Sequence, residues 1–188
     1  MVVVLALLAQ PVFSQDARFG IRGESLPVQH LTTFRAQPGE VEESFVLRVG
    51  TFLERFSVAH GHEACAALVL VDDRLVARVS TNGSHVGCLA VTQAGDRYTG
   101  RSIHSHPRPG VVRLNLADNV FLRGDQGRQG PARRASMTVR TGVSPTDRRG
   151  DPGYLVEGGL VVFFSPDQPD RIVGPVADSP LPVVAVVE

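Results

Sequence analysis

The feature that most constrains the fold of this chain is a long run of residues with the apolar spacing of a helix. Between residues 40 and 58, apolar side chains recur at intervals of three and four, which predicts one amphipathic helix of about five turns. Acidic residues cluster at its start, where they complement the helix dipole: Glu40, Glu42 and Glu43. The apolar stripe predicts that this helix packs against a core.

The residues after this helix have the pattern of strands. Residues 63–71 and 75–79 are apolar runs around Asp72-Asp73, which predicts a hairpin, and residues 98–105 predict a further strand. A second hairpin is predicted over residues 153–164. The 188 residues are enough for one domain with a substantial core.

Charge and composition exclude several kinds of function. The formal net charge is +0, so there is no electrostatic argument for a nucleic acid or an anionic membrane as partner. All 19 basic residues are Arg, which excludes a lysine nucleophile or a Schiff base. The neutral balance favours a small or peptidic target.

The N-terminus has the features of an export signal. Residues 1–14 are mostly apolar and end in Ser14, which predicts a signal peptide and a periplasmic or secreted protein. The run is too short to span a bilayer, and no later segment has the length, so we expect no membrane span in the mature chain. The only two cysteines, Cys65 and Cys88, suit one disulfide in an exported protein or two buried thiols on neighbouring strands.

His104-Ser105-His106-Pro107 ends the strand predicted over residues 98–105. Side chains alternate along a strand, so both imidazoles point to the same side and can reach one ion. Zinc binds imidazole and carboxylate ligands, and a catalytic zinc site keeps one position open for water. The motif therefore predicts a zinc site of a hydrolase, with Glu63 as an upstream carboxylate and Ser144-Pro145-Thr146-Asp147 as a downstream partner.

The order of these motifs over residues 40–165 resembles the JAMM/MPN (JAB-type) zinc metallopeptidases and isopeptidases. The resemblance implies a single-domain α/β fold: a curved mixed sheet of the cytidine-deaminase-like kind, packed by the long N-terminal helix, with Zn²⁺ at one edge. It implies zinc ligation by His104, His106 and Asp147. It also implies that Glu63 is the base that takes a proton from water, and that Ser144 stabilises the oxyanion.

Two aspartates compete for the place of the third ligand. Members of the family carry Ser-x-x-Asp soon after His-x-His, and Asn115-Leu116-Ala117-Asp118 has almost that spacing. We prefer Asp147, because Ser144-Pro145-Thr146-Asp147 matches the motif in residue type and leads into the last hairpin. Residues 108–140 are then an insertion within a domain over 40–165. An extension over 15–39 precedes this domain, and a Pro-rich tail over 166–188 follows it.

These features predict zinc-dependent hydrolysis of a peptide or isopeptide bond. The alternative is a catalytically silent binding module that keeps the JAMM fold. A third hypothesis is a cupin-like barrel in which His60 and His62 would be the first ligand pair. The identity of the substrate does not follow from the sequence.

Overall fold

A computed structural model describes residues 18–21, 24–125 and 136–177. They form one α/β domain, in which a mixed seven-stranded sheet is packed by a long helix. A one-turn 3-10 helix at Asp147–Arg149 precedes β9. The other elements follow the chain as β1 (Arg18–Ile21), β2 (Glu24–Pro27), β3 (Gln29–Arg35), α1 (Glu42–His60), β4 (Cys65–Val71), β5 (Arg74–Thr81), β6 (Arg97–Ser105), β7 (Gly110–Arg113), α2 (Leu116–Asp125), β8 (Ser136–Val139), β9 (Gly153–Glu157), β10 (Leu160–Ser165) and β11 (Gln168–Pro175).

The main sheet has the strand order β11-β10-β9-β6-β4-β5-β3. Its neighbours pair antiparallel except β6 and β9, which run parallel. A parallel pair needs a crossover connection, and here the crossover holds β7, α2 and β8. β1 pairs with β2, and β7 with β8, in two small separate sheets.

The predicted amphipathic helix is confirmed as α1, two residues later at each end than predicted. Its fully buried side chains lie in one core with residues from the central strands, among them Leu68, Ile103 and Val156. The helix ends at Gly61, whose φ of 70° is a left-handed conformation that glycine adopts without steric cost. The members of the apolar stripe of α1 that are buried completely are Phe45, Val46, Val49 and Leu53.

The hairpin predicted around Asp72-Asp73 is confirmed as β4 and β5. Both aspartates have positive φ, 50° and 57°, as the two central residues of a type I′ turn do. The strand predicted over residues 98–105 is β6, and the hairpin over 153–164 is β9 and β10.

The structure differs from the predicted boundaries at both ends of the domain. β3 lies in the segment predicted as an extension and pairs with β5, and β11 lies in the predicted tail and pairs with β10. The predicted insertion over 108–140 contains β7, α2 and β8. The predicted signal peptide over residues 1–14 lies outside the described residues.

Gly50 allows α1 to lie unusually close to the sheet. A Cβ atom at this position would come within 2.7 Å of Val161 Cγ2 on β10. Gly50→Val is therefore expected to lower the free energy of unfolding by about 1–3 kcal/mol or more, the usual cost of overpacking. Thermal and urea denaturation measure the effect. The same valine placed at exposed Ser44 of α1 is the control, and equal destabilisation by the two variants would contradict the close approach.

Candidate metal site

Strand β6 directs two histidines to one face of the sheet. His104 lies near its end and His106 follows it, and their ring centroids are 5.1 Å apart. Ser105, between them, points the opposite way and lies under α1, where its Oγ is 2.6 Å from Ser57 Oγ. The alternation expected of a strand thus places both imidazoles on the side away from α1.

Asp147 reaches the histidines from the short 3-10 helix before β9. Its Oδ1 lies 3.6 Å from His104 Nε2. Its Oδ2 accepts a hydrogen bond from Ser144 N at 2.9 Å, and its own N–H donates to Ser144 Oγ at 3.2 Å. This reciprocal pair of bonds fixes the Asp147 carboxylate beside His104.

One potential ligand atom from each of His104, His106 and Asp147 lies within 4.8 Å of the other two. Zinc bonds of about 2.0–2.2 Å place tetrahedral ligand atoms roughly 3.4 Å apart, close to the distance from His104 to Asp147. His104 Nε2 is buried and has no hydrogen-bond partner among the described residues, although an orphaned buried nitrogen is costly. The three residues fit a divalent cation and form a candidate metal site.

The charge states of His104 and Asp147 favour a cation as well. Burial lowers the pKa of His104 far below its usual range, so its imidazole is in the neutral form that binds metals. Burial alone would raise the pKa of Asp147, but His104 and the bonds to Ser144 lower it, so that carboxylate is ionised. Burial opposes protonation of His106 too, yet the surrounding carboxylates raise its pKa.

Glu63 lies beside the triad, in the turn between α1 and β4. Its N–H donates to Ser84 O at 2.7 Å, and its carbonyl accepts from Thr81 Oγ1 at 2.6 Å, so its backbone is fixed by the end of β5. Its Oε1 is 3.9 Å from His106 Nε2. Burial raises the pKa of Glu63 to about 8, although the neighbouring His106 opposes that rise.

Glu157 is a residue of the site that sequence analysis missed. It ends β9, and its Oε1 lies 3.7 Å from His106 Nδ1, on the side of the ring away from Glu63. Its Oε2 accepts a hydrogen bond from Gly142 N at 2.7 Å. Sequence analysis missed Glu157 because the Glu157-Gly158-Gly159 segment has the pattern of a hairpin turn and carries no metal-binding motif.

The other candidate ligands considered from the sequence do not belong to the triad. Asp118 is fully buried and binds Ser84, His85 and Asn115, so it is not part of the triad. His60 contacts Phe56 in the last turn of α1, and the open order of the sheet does not fit a cupin-like barrel. Of the two aspartates weighed from sequence, the structure brings Asp147 to the histidines.

The two cysteines form a disulfide beside the triad, as one of the two sequence interpretations had it. Cys65 lies opposite His104 in the pairing of β4 with β6, so the bridge joins the loop that holds Cys88 to the wall of the site. A disulfide is consistent with an oxidising compartment.

A cavity of about 610 Å³ opens over the triad, a usual size for a ligand site. Glu63, Ser144 and the disulfide line it together with the three candidate ligands. Its other walls come from the loop before β6, from α2 and from the segment that runs from β8 to Asp147.

Comparisons with protein-family models, curated proteins and solved structures found no match to this chain. The fold and the site define the class: a single α/β domain with a candidate His-His-Asp metal site, a buried glutamate beside it and a disulfide in its wall. Neither helix of the described part of the chain is long and apolar enough to cross a membrane. The resemblance to JAMM metallopeptidases stays a prediction.

Proposed function

We propose that this protein is an exported zinc-dependent peptidase or isopeptidase of the JAMM type. The observation that carries the proposal is the convergence of His104, His106 and Asp147 on one cavity, with the buried carboxyl of Glu63 beside them. Two imidazole nitrogens and one carboxylate oxygen are the donor set of a catalytic zinc site that keeps a position open. The disulfide supports export.

Each polar group of the site has a role in amide hydrolysis. A zinc ion held by the triad would polarise the scissile carbonyl and lower the pKa of a water molecule. Glu63 takes the proton of that water and delivers it to the leaving amine, for which a carboxyl with a raised pKa is suited. Ser144 donates its hydroxyl proton to the developing oxyanion, a contribution of about 3 kcal/mol for one such donor.

The first test is the metal content of the purified mature protein, measured by mass spectrometry. We expect about one zinc per chain, as in a catalytic site with three protein ligands. A screen of peptides and isopeptide conjugates then tests hydrolysis, with a chelator-treated sample as control. Absence of zinc after reconstitution would contradict the proposal and favour the binding module.

Glu157 is expected to orient His106 from outside the ligand set. Glu157→Gln should weaken zinc binding by about 10–100-fold, the usual effect of losing a carboxylate that holds a metal-binding histidine. Competition with a fluorescent zinc chelator measures the affinity. Glu54→Gln is the matched control, because Glu54 is also a partly buried carboxylate that accepts one backbone N–H, from Gly159. Equal effects in the two variants would contradict this role.

A further inference from the structure

One side of the cavity begins at the metal triad and continues over the disulfide to α2. Cys65 pairs directly with His104 across β4 and β6, so the two side chains share a face of the sheet. The disulfide leads from Cys65 to Cys88, and the residue before Cys88, Gly87, lies against the ring of Phe121. A Cβ atom added to Gly87 would come within 2.8 Å of Phe121 Cδ1. All five residues line the cavity, so Phe121 follows the disulfide along the side that begins at His104.

Hydrogen bonds hold the two segments of this side of the cavity together. Asp118, in the first turn of α2, is fully buried and accepts hydrogen bonds from Ser84 Oγ at 2.7 Å and from His85 N at 2.6 Å. These bonds tie the loop that contains Gly87 to the helix that carries Phe121. Phe121 also packs against a small buried cluster: Leu26, Ala117 and Val120. The surface is therefore formed before a ligand binds, as is usual for ligand sites.

The side chains around Phe121 in the cavity are apolar as well. Met137 and Val139 alternate along β8, so they share a face, and both line the cavity. Among the described residues, the only acidic side chains that line the cavity are those of Glu63 and Asp147. Together with the disulfide, we name the following residues the apolar wall: Val86, Ala90, Phe121, Leu122, Met137 and Val139. An apolar group that binds against this wall leaves water, which is favourable in proportion to the area buried.

We propose that the apolar wall is a subsite for an apolar side chain of the substrate next to the bond that is cleaved. The inference rests on the proposed function and narrows its substrate to peptides with a large apolar residue that flanks the scissile bond. Cys65 is one strand spacing from His104, about 4.8 Å. Consecutive residues of an extended peptide are about 3.5 Å apart. A side chain next to a bond held at the triad therefore lies at the apolar wall.

The test compares two neutral probes, N-acetyl-leucinamide and N-acetyl-glycinamide, which differ only in the side chain. Their binding to the mature protein is measured by NMR titration. The leucine probe should bind at least about tenfold more tightly, the usual effect of an apolar group in a matching pocket. Both probes carry the same amide groups, so contacts of those groups with a metal ion or a polar residue cancel in the ratio of the two affinities.

Two variants of the subsite should lower this ratio. Leu122→Asn keeps the size of the side chain and makes the apolar wall polar, and Gly87→Ala displaces the ring of Phe121. Each should lower the ratio about fivefold or more. Two matched controls should keep the wild-type ratio. Leu116→Asn lies at an exposed position of α2, and Gly110→Ala places a Cβ atom that has no neighbour within 4 Å.

Equal affinity of the two probes for the wild type would overturn the inference, as would a ratio that neither Leu122→Asn nor Gly87→Ala lowers. A ratio that Leu116→Asn lowers as much as Leu122→Asn would overturn it too, because the preference would then not depend on the cavity. The spectra of the titration show whether each variant is folded. Zinc content is measured on the same samples: a protein without zinc contradicts the proposed function, whereas equal probe affinities contradict the subsite alone.

Discussion

Glu63→Gln is expected to leave the zinc content of the protein unchanged and to lower kcat for amide hydrolysis by about a thousandfold, within the range for loss of a general base. The carboxyl is buried beside His106 and is not one of the three candidate ligands. The amide keeps the shape of the side chain but cannot accept the proton of water. Metal analysis and steady-state kinetics on one cleavable peptide measure the two effects separately.

The control for this variant is Glu43→Gln, which makes the same change on the exposed first turn of α1. It should match the wild type in zinc content and kcat. Hydrolysis by Glu63→Gln at the wild-type rate would show that Glu63 is not the base. Loss of zinc from that variant would show instead that Glu63 belongs to the ligand set.

Asp147→Asn is expected to weaken zinc binding by at least about a hundredfold, because loss of even an outer carboxylate partner costs 10–100-fold. Its free energy of unfolding without zinc should change little, since Asp147 is at the edge of the fold with its side chain 20% exposed. Chelator competition measures the affinity, and urea denaturation measures the stability.

Asp118→Asn is the matched comparison, the same change at the other aspartate. It should retain zinc and lose about 1–3 kcal/mol or more of stability, because the amide cannot accept all four hydrogen bonds and presents donors to donors. Both variants are measured at 10–15 °C, where about 3 kcal/mol of destabilisation still leaves a typical domain folded. Zinc lost with Asp118→Asn and kept with Asp147→Asn would reverse the assignment.

The elements that depend on local periodicity were predictable. The stripe of α1 and the alternation of His104 and His106 follow directly from residue spacing. Periodicity does not determine which part of a crossover connection lies beside the end of β6. Residue spacing alone therefore left both Asp118 and Asp147 as candidates for the third ligand. Only the tertiary placement of the 3-10 helix brings Asp147 to His104.

The strands at the edges of the sheet were harder to predict. β11 is mostly exposed and includes Pro169 and Pro175, so it has neither an apolar run nor the composition of a central strand. An edge strand tolerates proline because one of its sides needs no hydrogen-bond donors. The contact between His85 and Asp118 was hidden for another reason: the two residues lie 33 positions apart in the chain.

The parallel pairing of β6 with β9 has a consequence for how the chain folds. The hairpin of β4 and β5 can form early, because its strands are neighbours in sequence, whereas β9 must wait for the whole crossover to return. The two histidines precede this crossover and Asp147 lies at its end. An ion bound by all three residues would stabilise the native state and not the unfolded one. The supply of metal would therefore set how often β9, β10 and β11 separate from the rest of the sheet.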